Sequence, residues 1–369
     1  MRPDSLRLKQ NMHRIVFNGK FQGQKATGVQ RVAHALISGV IARKRSGDPL
    51  LAGLDLAMAS PKGVTSHLDL ENLVGKHLKG IPWEQFELPA MAGKGLLVNL
   101  GNVGPVSRTG DVLMIHDAQI FITPESYSKA FRVWYKTILP ILAHKASRIL
   151  TVSEYARSCL AEAGIAPLER IEVLHNGVDH IKNVTSDPLI LSTLGLINRP
   201  YLVGMSSVQH HKDVRTIIRA ADIMKNRDVP LVLIGSATEA DFKAAGIDLG
   251  SNIILAGRLR DEEMRAVIEG ARAFAFPSLT EGFGLPPLEA MLLGTPAIVA
   301  PKGALPELCG DDAMSAEASN PEAWAAAIDK LVEDNDLRAH YSIAGQHRAA
   351  NYSWSAASEH LARILHDAA

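Results

Sequence analysis

The chain is poor in several things that would have decided its class quickly. It has only two cysteines, Cys159 and Cys309, and neither stands in a CxxC or Cys/His cluster, so no disulfide framework or zinc site is expected. No uninterrupted apolar run reaches the roughly 18 residues a membrane span needs. The opening "MRPDSLRLKQNMHRIVF" has no apolar core of the signal-peptide kind. The G-x-G-x-x-G fingerprint is missing after every predicted strand; "GNVGPV" at 101–106 has the wrong spacing. That argues against a nicotinamide-dependent oxidoreductase. Net charge is also lacking, with 39 Lys+Arg against 39 Asp+Glu. The zero hides an asymmetry: residues 1–185 hold 23 Lys+Arg against 15 Asp+Glu, a balance of +8, and the remainder holds −8. A basic half favours an anionic ligand or an anionic membrane surface; nucleic acid is not an expected partner.

What is present is a 369-residue chain, 47% hydrophobic and 21% charged, long enough for two domains with cores of their own. Near-continuous apolar runs at 13–19, 95–101, 111–117, 147–153 and 171–176 read as strands buried on both faces. Helical patterns lie between them, at about 28–45, 126–145 and 153–164. The second half repeats the habit, with strands at 200–206, 229–236, 252–258, 271–278 and 295–301. Its helices are expected near 212–226, 237–245, 261–270, 286–293 and 321–333. Two such arrays predict an α/β chain of two doubly wound, Rossmann-like domains. The first covers 1–185 and the second 198–350, with a boundary in the polar stretch 180–198. Residues 351–369 form a closing helix packing back toward the first domain, with Trp354 as its packing anchor. Asn176-Gly177 reads as a turn that tolerates left-handed backbone. The "DND" at 334–336 reads as a helix-ending turn rather than a metal motif.

The richest stretch is "PSLTEGFGLPPLEAMLLGTP", 277–296. Glu281 falls in a glycine-rich loop after a strand, and Glu289 just inside a helix opened by Pro286–Pro287. Carboxylates grip vicinal hydroxyls by charge-assisted hydrogen bonds, while a helix N-terminus favours phosphate. The pair suits a ligand that is part sugar and part diphosphate.

This string resembles the E-x7-E motif of the retaining glycosyltransferases of the GT-B fold, family 4. The likeness continues in order through "ATGVQRVAHAL" (26–36), "MIHDAQIFITPESYSKAFRVWYK" (114–136), "ILTVSEYARSCL", "VLHNGVD", "HHKDVRTIIRAA", "GRLRDEEMRAVIEGARAFAFPS" and "YSWSAASEHLARIL" (352–365). The resemblance implies a sugar-nucleotide donor and a glycan or lipid-linked acceptor. Glu289 would hold the ribose and Glu281 the donor sugar. Gly282, Phe283, Gly284 and Leu285 would offer backbone N–H groups, and Lys212 would neutralise the diphosphate. Gly257 and Arg258 would lie beside the base. Gly28 would approach the diphosphate from the other domain, across a cleft, and His116 would contact the sugar near the reacting carbon. Many members carry arginine where this chain has Ser207, so His211 or Arg258 would share the diphosphate charge. The likeness is greatest to mannosyltransferases of bacterial surface-polysaccharide pathways, which favours GDP-mannose, with UDP-glucose as the alternative donor. No cofactor or metal is expected, and the location would be cytoplasmic or peripheral at the inner face of the membrane. A non-catalytic sugar-nucleotide or polysaccharide-binding protein on the same fold is the rival reading.

Overall fold

The computed structural model describes residues 13–24 and 27–369. Most of the N-terminal segment read for a signal peptide, and Ala26 of the first-loop segment, lie outside the described residues. Two compact units divide the chain: one runs up to Asn176 and takes in Trp354–Ala369, the other is Gly177–Ser353.

The first unit is built on a parallel sheet of seven strands: β1 (His13–Asn18), β2 (Leu54–Ser60), β3 (Glu71–Val74), β4 (Leu96–Asn99), β5 (Val112–Met114), β6 (Arg148–Thr151) and β7 (Ile171–Val173). Their order is β3-β2-β1-β4-β5-β6-β7. Ile15, Val16 and Phe17 of the central β1 have no exposed surface, as a strand covered on both faces requires. The main helices are α1 (Gly28–Arg45), α2 (Lys129–Lys145) and α3 (Glu154–Glu162). The chain leaves β1 for β2 on one side and resumes with β4 on the other, so the topological switch lies between β1 and β4. Ligands of doubly wound sheets bind beyond the carboxyl ends of the strands at such a point.

The second unit repeats the plan with six strands: β8 (Leu202–Met205), β9 (Leu231–Ile234), β10 (Ile253–Gly257), β11 (Ala273–Phe276), β12 (Ala297–Val299) and β13 (Met314–Ser315). The order is β10-β9-β8-β11-β12-β13, and its switch lies between β8 and β11. The main helices are α4 (Val214–Ile223), α5 (Asp261–Glu269), α6 (Leu285–Leu292), α7 (Pro321–Glu333) and α8 (Asn335–Ala350).

The final helix, α9 (Trp354–Ala368), belongs to the first unit. It lies close to α1 because Gly39 has no side chain: a Cβ there would sit 2.5 Å from the Ser358 Cβ. Arg43 of α1 reaches Glu359 at 3.3 Å, and Trp354 is only 8% exposed.

Two sequence expectations need correction. The chain passes between units at Asn176/Gly177, before the polar stretch 180–198. Most of that stretch is tied to the second unit: Arg265 on α5 donates to the Lys182 carbonyl at 2.9 Å, and Asp187 N–H donates to Glu262 O at 3.0 Å. The backbone of the stretch is thus anchored to α5 rather than left as a free linker. Nor does the Asn176–Gly177 pair form a left-handed turn, since neither residue has positive φ. The "DND" does mark a helix end, and Asp334 also caps the next helix, accepting from Leu337 N–H at 2.9 Å.

Candidate functional site

The loops after β8 and β11 meet at the switch point of the second unit. After β8 the chain makes a single 3-10 turn, His210–Lys212. Asp213 then takes a left-handed backbone, φ +45°, a strained choice for a non-glycine residue. Its carboxylate secures the strain by accepting from the Thr216 and Ser319 hydroxyls, both at 2.8 Å. Lys212 is therefore held in a fixed turn and is not the first residue of α4. Its Nζ lies 2.6 Å from Glu281 Oε1, with side-chain exposures of 28% and 11%. The lysine and the glutamate that sequence assigned to diphosphate and sugar thus meet in one ion pair.

Glu281 is fixed by its backbone as well. The His211 carbonyl accepts from Leu279 N–H at 2.7 Å and from the Ser278 hydroxyl at 3.1 Å. His211 is itself 2% exposed, and its carbonyl is part of the frame of the loop. Ala304 N–H donates to the Glu281 carbonyl at 3.1 Å. Gly303 precedes it at φ +63°, where a Cβ would sit 2.6 Å from Glu281 N; only glycine fits.

Gly284, at φ +114°, caps α6. Of the helix's first three residues, two are proline, so Leu285 alone has an N–H. The anion-attracting end predicted here therefore presents fewer donors than an ordinary helix start. Gly282 and Phe283 are buried, and the Phe283 ring meets Tyr352 edge-on at 5.8 Å. Glu289, on the second turn of α6, is 5% exposed, and His180 Nε2 lies 3.2 Å from its Oε1. Gly257 ends β10 at φ +71°, followed by the exposed Arg258. At Ser207 the hydroxyl accepts from Gln209 N–H at 3.5 Å.

In the first unit, His116 follows β5 and is 6% exposed. Its Nε2 stands 2.8 Å from the Leu100 carbonyl. A carbonyl only accepts, so Nε2 carries the proton and Nδ1 is left as an acceptor. Burial pushes its pKa down to about 4, which keeps the ring neutral at pH 7. The loop is pinned by Asn102, which is left-handed at φ +70° and whose Oδ1 accepts from His116 N–H at 2.8 Å. Gly28 is the first residue of α1, behind Thr27, whose N–H donates to Gln30 Oε1 at 3.1 Å.

Sequence reasoning missed His180, Asn102, Gly303 and Tyr352. "NGVDH" does place His180 beside a recognised segment; nothing in the spacing links it to Glu289, 109 positions on. Among the described residues no group of three or more His, Cys, Asp or Glu is arranged to hold a metal ion, and no helix is long and apolar enough to cross a membrane.

Two family models match the chain: "Glycosyl transferases group 1" over residues 196–348 and "Glycosyltransferase Family 4" over 108–182. The O-antigen chain mannosyltransferase B of Escherichia coli is 29% identical over 66% of this chain and 66% of its own length. The O-antigen chain mannosyltransferase RfbU of Salmonella typhimurium is 21% identical over 64% of this chain and 67% of its own. The chain thus matches about two thirds of the length of these curated relatives. Among solved structures, the Anabaena protein HepE in complex with UDP and glucose superposes with a TM-score of 0.67 at 19% identity, over 95% of this chain and 98% of that one.

Proposed function

The chain belongs to glycosyltransferase family 4, with the GT-B fold, and on that premise we propose that it moves a hexose from a sugar nucleotide to a hydroxyl of a glycan or lipid-linked acceptor, with retention at the anomeric carbon. The observation that carries this reading is the Lys212–Glu281 ion pair, 2.6 Å long, at the switch point of the second unit. A lysine and a carboxylate held together there answer the two halves of a sugar nucleotide. The diphosphate takes the Lys212 charge, which frees Glu281 to accept from sugar hydroxyls. Glu289 accepts from the ribose hydroxyls, and Gly257 and Arg258 lie beside the base.

The bond from C1 to the diphosphate oxygen breaks, and a bond from the acceptor oxygen to C1 forms on the same face. The acceptor proton passes to an oxygen of the departing diphosphate. Negative charge grows on that group as the bond lengthens, and Lys212 with the Leu285 N–H stabilises it without a metal. His116, neutral, offers Nδ1 to a sugar hydroxyl near the reacting carbon. The names of the two O-antigen relatives support mannose, hence GDP-mannose, as donor; the UDP complex of the structural neighbour supports a UDP-hexose as the alternative.

The test is release of nucleoside diphosphate from a panel of sugar nucleotides by the purified chain. GDP-mannose is expected to be hydrolysed fastest. Preference for UDP-glucose would move the donor assignment, and no release from any donor would overturn the reading.

A further inference from the structure

A carboxylate that grips two neighbouring hydroxyls must present both oxygens at a fixed angle, because hydrogen bonds weaken steeply as they bend. Glu289 is nearly buried, with 6% of its side chain exposed, and His180 Nε2 sits 3.2 Å from its Oε1. A carboxylate oxygen only accepts, so Nε2–H is the donor.

The backbone that carries the His180 ring is held independently of this contact. His180 stands on the 3-10 turn Asp179–Asn183, and that turn is held on three sides. Val178 N–H donates to the Tyr352 carbonyl at 2.9 Å. Ile181 has no exposed surface. Arg265 Nη1 donates to the Lys182 carbonyl at 2.9 Å while its Nη2 and Nε bind Glu269 at 2.8 and 2.9 Å. A side chain on so firm a base can orient a partner rather than follow it.

We infer that His180 is a positioning residue for nucleotide binding: its Nε2–H fixes the Glu289 carboxylate in the orientation that accepts from the ribose 2′- and 3′-hydroxyls. The inference rests on the reading of Glu289 given above. It concerns a residue that touches no substrate and acts only through that carboxylate.

The experiment compares the affinities of GDP and 2′,3′-dideoxy-GDP, and of UDP and 2′,3′-dideoxy-UDP, by titration calorimetry. The proteins are the wild type, His180→Ala, His180→Gln and Glu289→Ala. Wild type is expected to lose about tenfold in affinity when the ribose hydroxyls are removed, the scale of a hydrogen bond to a charged group. In His180→Ala the parent nucleotide should bind about tenfold more weakly, and the penalty for removing the hydroxyls should shrink to about twofold. His180→Gln, which keeps an N–H donor, should restore most of that penalty. Loss of packing alone would weaken both nucleotides equally and leave the ratio untouched. A full penalty in His180→Ala, with the penalty gone in Glu289→Ala, overturns the inference and leaves Glu289 in its role. A full penalty in Glu289→Ala overturns the ribose reading itself. If the wild type binds neither parent nucleotide, the proposed function falls and the inference with it.

Discussion

Lys212 and Glu281 stand 69 positions apart and share an ion pair that is only partly exposed. Such a pair contributes little net stability once desolvation is counted, so its worth lies in where it holds the two side chains. His116 shows the same logic with a neutral group. Its burial lowers the pKa from 6.5 to about 4, and a folded-state pKa below the unfolded value has one consequence for stability. Above pH 6.5 both states are neutral at this ring and the contribution is complete. Between 6.5 and 4 the unfolded chain binds a proton that the folded one refuses, so stability falls with acidification. Below about 4 the folded ring is protonated too and the decline stops. Melting temperatures from pH 7.5 to 4 should therefore fall less steeply in His116→Asn than in wild type; parallel curves would show that the ring is not buried as described. At this scale the sequence was informative wherever a glutamate, lysine or histidine followed a strand. It was silent on Asn102, Gly303 and His180, whose work depends on backbone angle or on contacts distant in the chain.

Among the elements, α2 carries the most unusual surface. Ala130, Val133, Trp134, Thr137 and Ile141 recur at helical spacing along one stripe, and Val133, Trp134 and Ile141 are 67%, 36% and 42% exposed. The 28 residues from Ser126 to Ser153 contain Lys129, Arg132, Lys136, Lys145 and Arg148 and no acidic residue. Apolar residues beside cations suit the interface of an anionic bilayer, and this narrows the expectation raised by the basic half of the chain to one helix. Co-sedimentation with vesicles containing anionic lipid should be clear at low salt and weaker at 0.5 M. Trp134→Ala with Val133→Ser should reduce it by about tenfold or more, since full burial of an apolar side chain contributes about 1.5 kcal/mol or more and both side chains are already partly covered. Equal binding to neutral vesicles, or no effect of the substitutions, would remove α2 from this role. The central strands and most helices were legible because their apolar runs are continuous or amphipathic. β2, "LDLAMAS", was not, since alanine favours strands weakly; β3 has four residues and β13 two. α8 was missed for a different reason: its fully buried residues are the small Gly345 and Ala349, and only Leu337 and Tyr341 add larger apolar side chains against the core, so its apolar stripe is weak.

For the whole molecule, two doubly wound units could be read from the alternation of strand and helix, and so could the return of the closing helix to the first of them; the point where the chain passes between units, Asn176/Gly177, could not. The return of α9 to the first unit depends on the close fit of Gly39 to Ser358, a contact that spans most of the sequence. The proposed chemistry, in contrast, is concentrated at one place: Lys212, paired with Glu281, is proposed to meet the charge of the leaving diphosphate. Steady-state release of nucleoside diphosphate from the preferred donor, in EDTA, for wild type and Lys212→Ala side by side, tests that most directly. Wild type should be as fast in EDTA as with added Mg²⁺ or Mn²⁺. Lys212→Ala should be slower by about 10² to 10³, the scale of one well-placed donor at about 3 to 4 kcal/mol. A wild type that stops in EDTA and recovers with a divalent ion, or a Lys212→Ala variant as fast as wild type, would contradict the account.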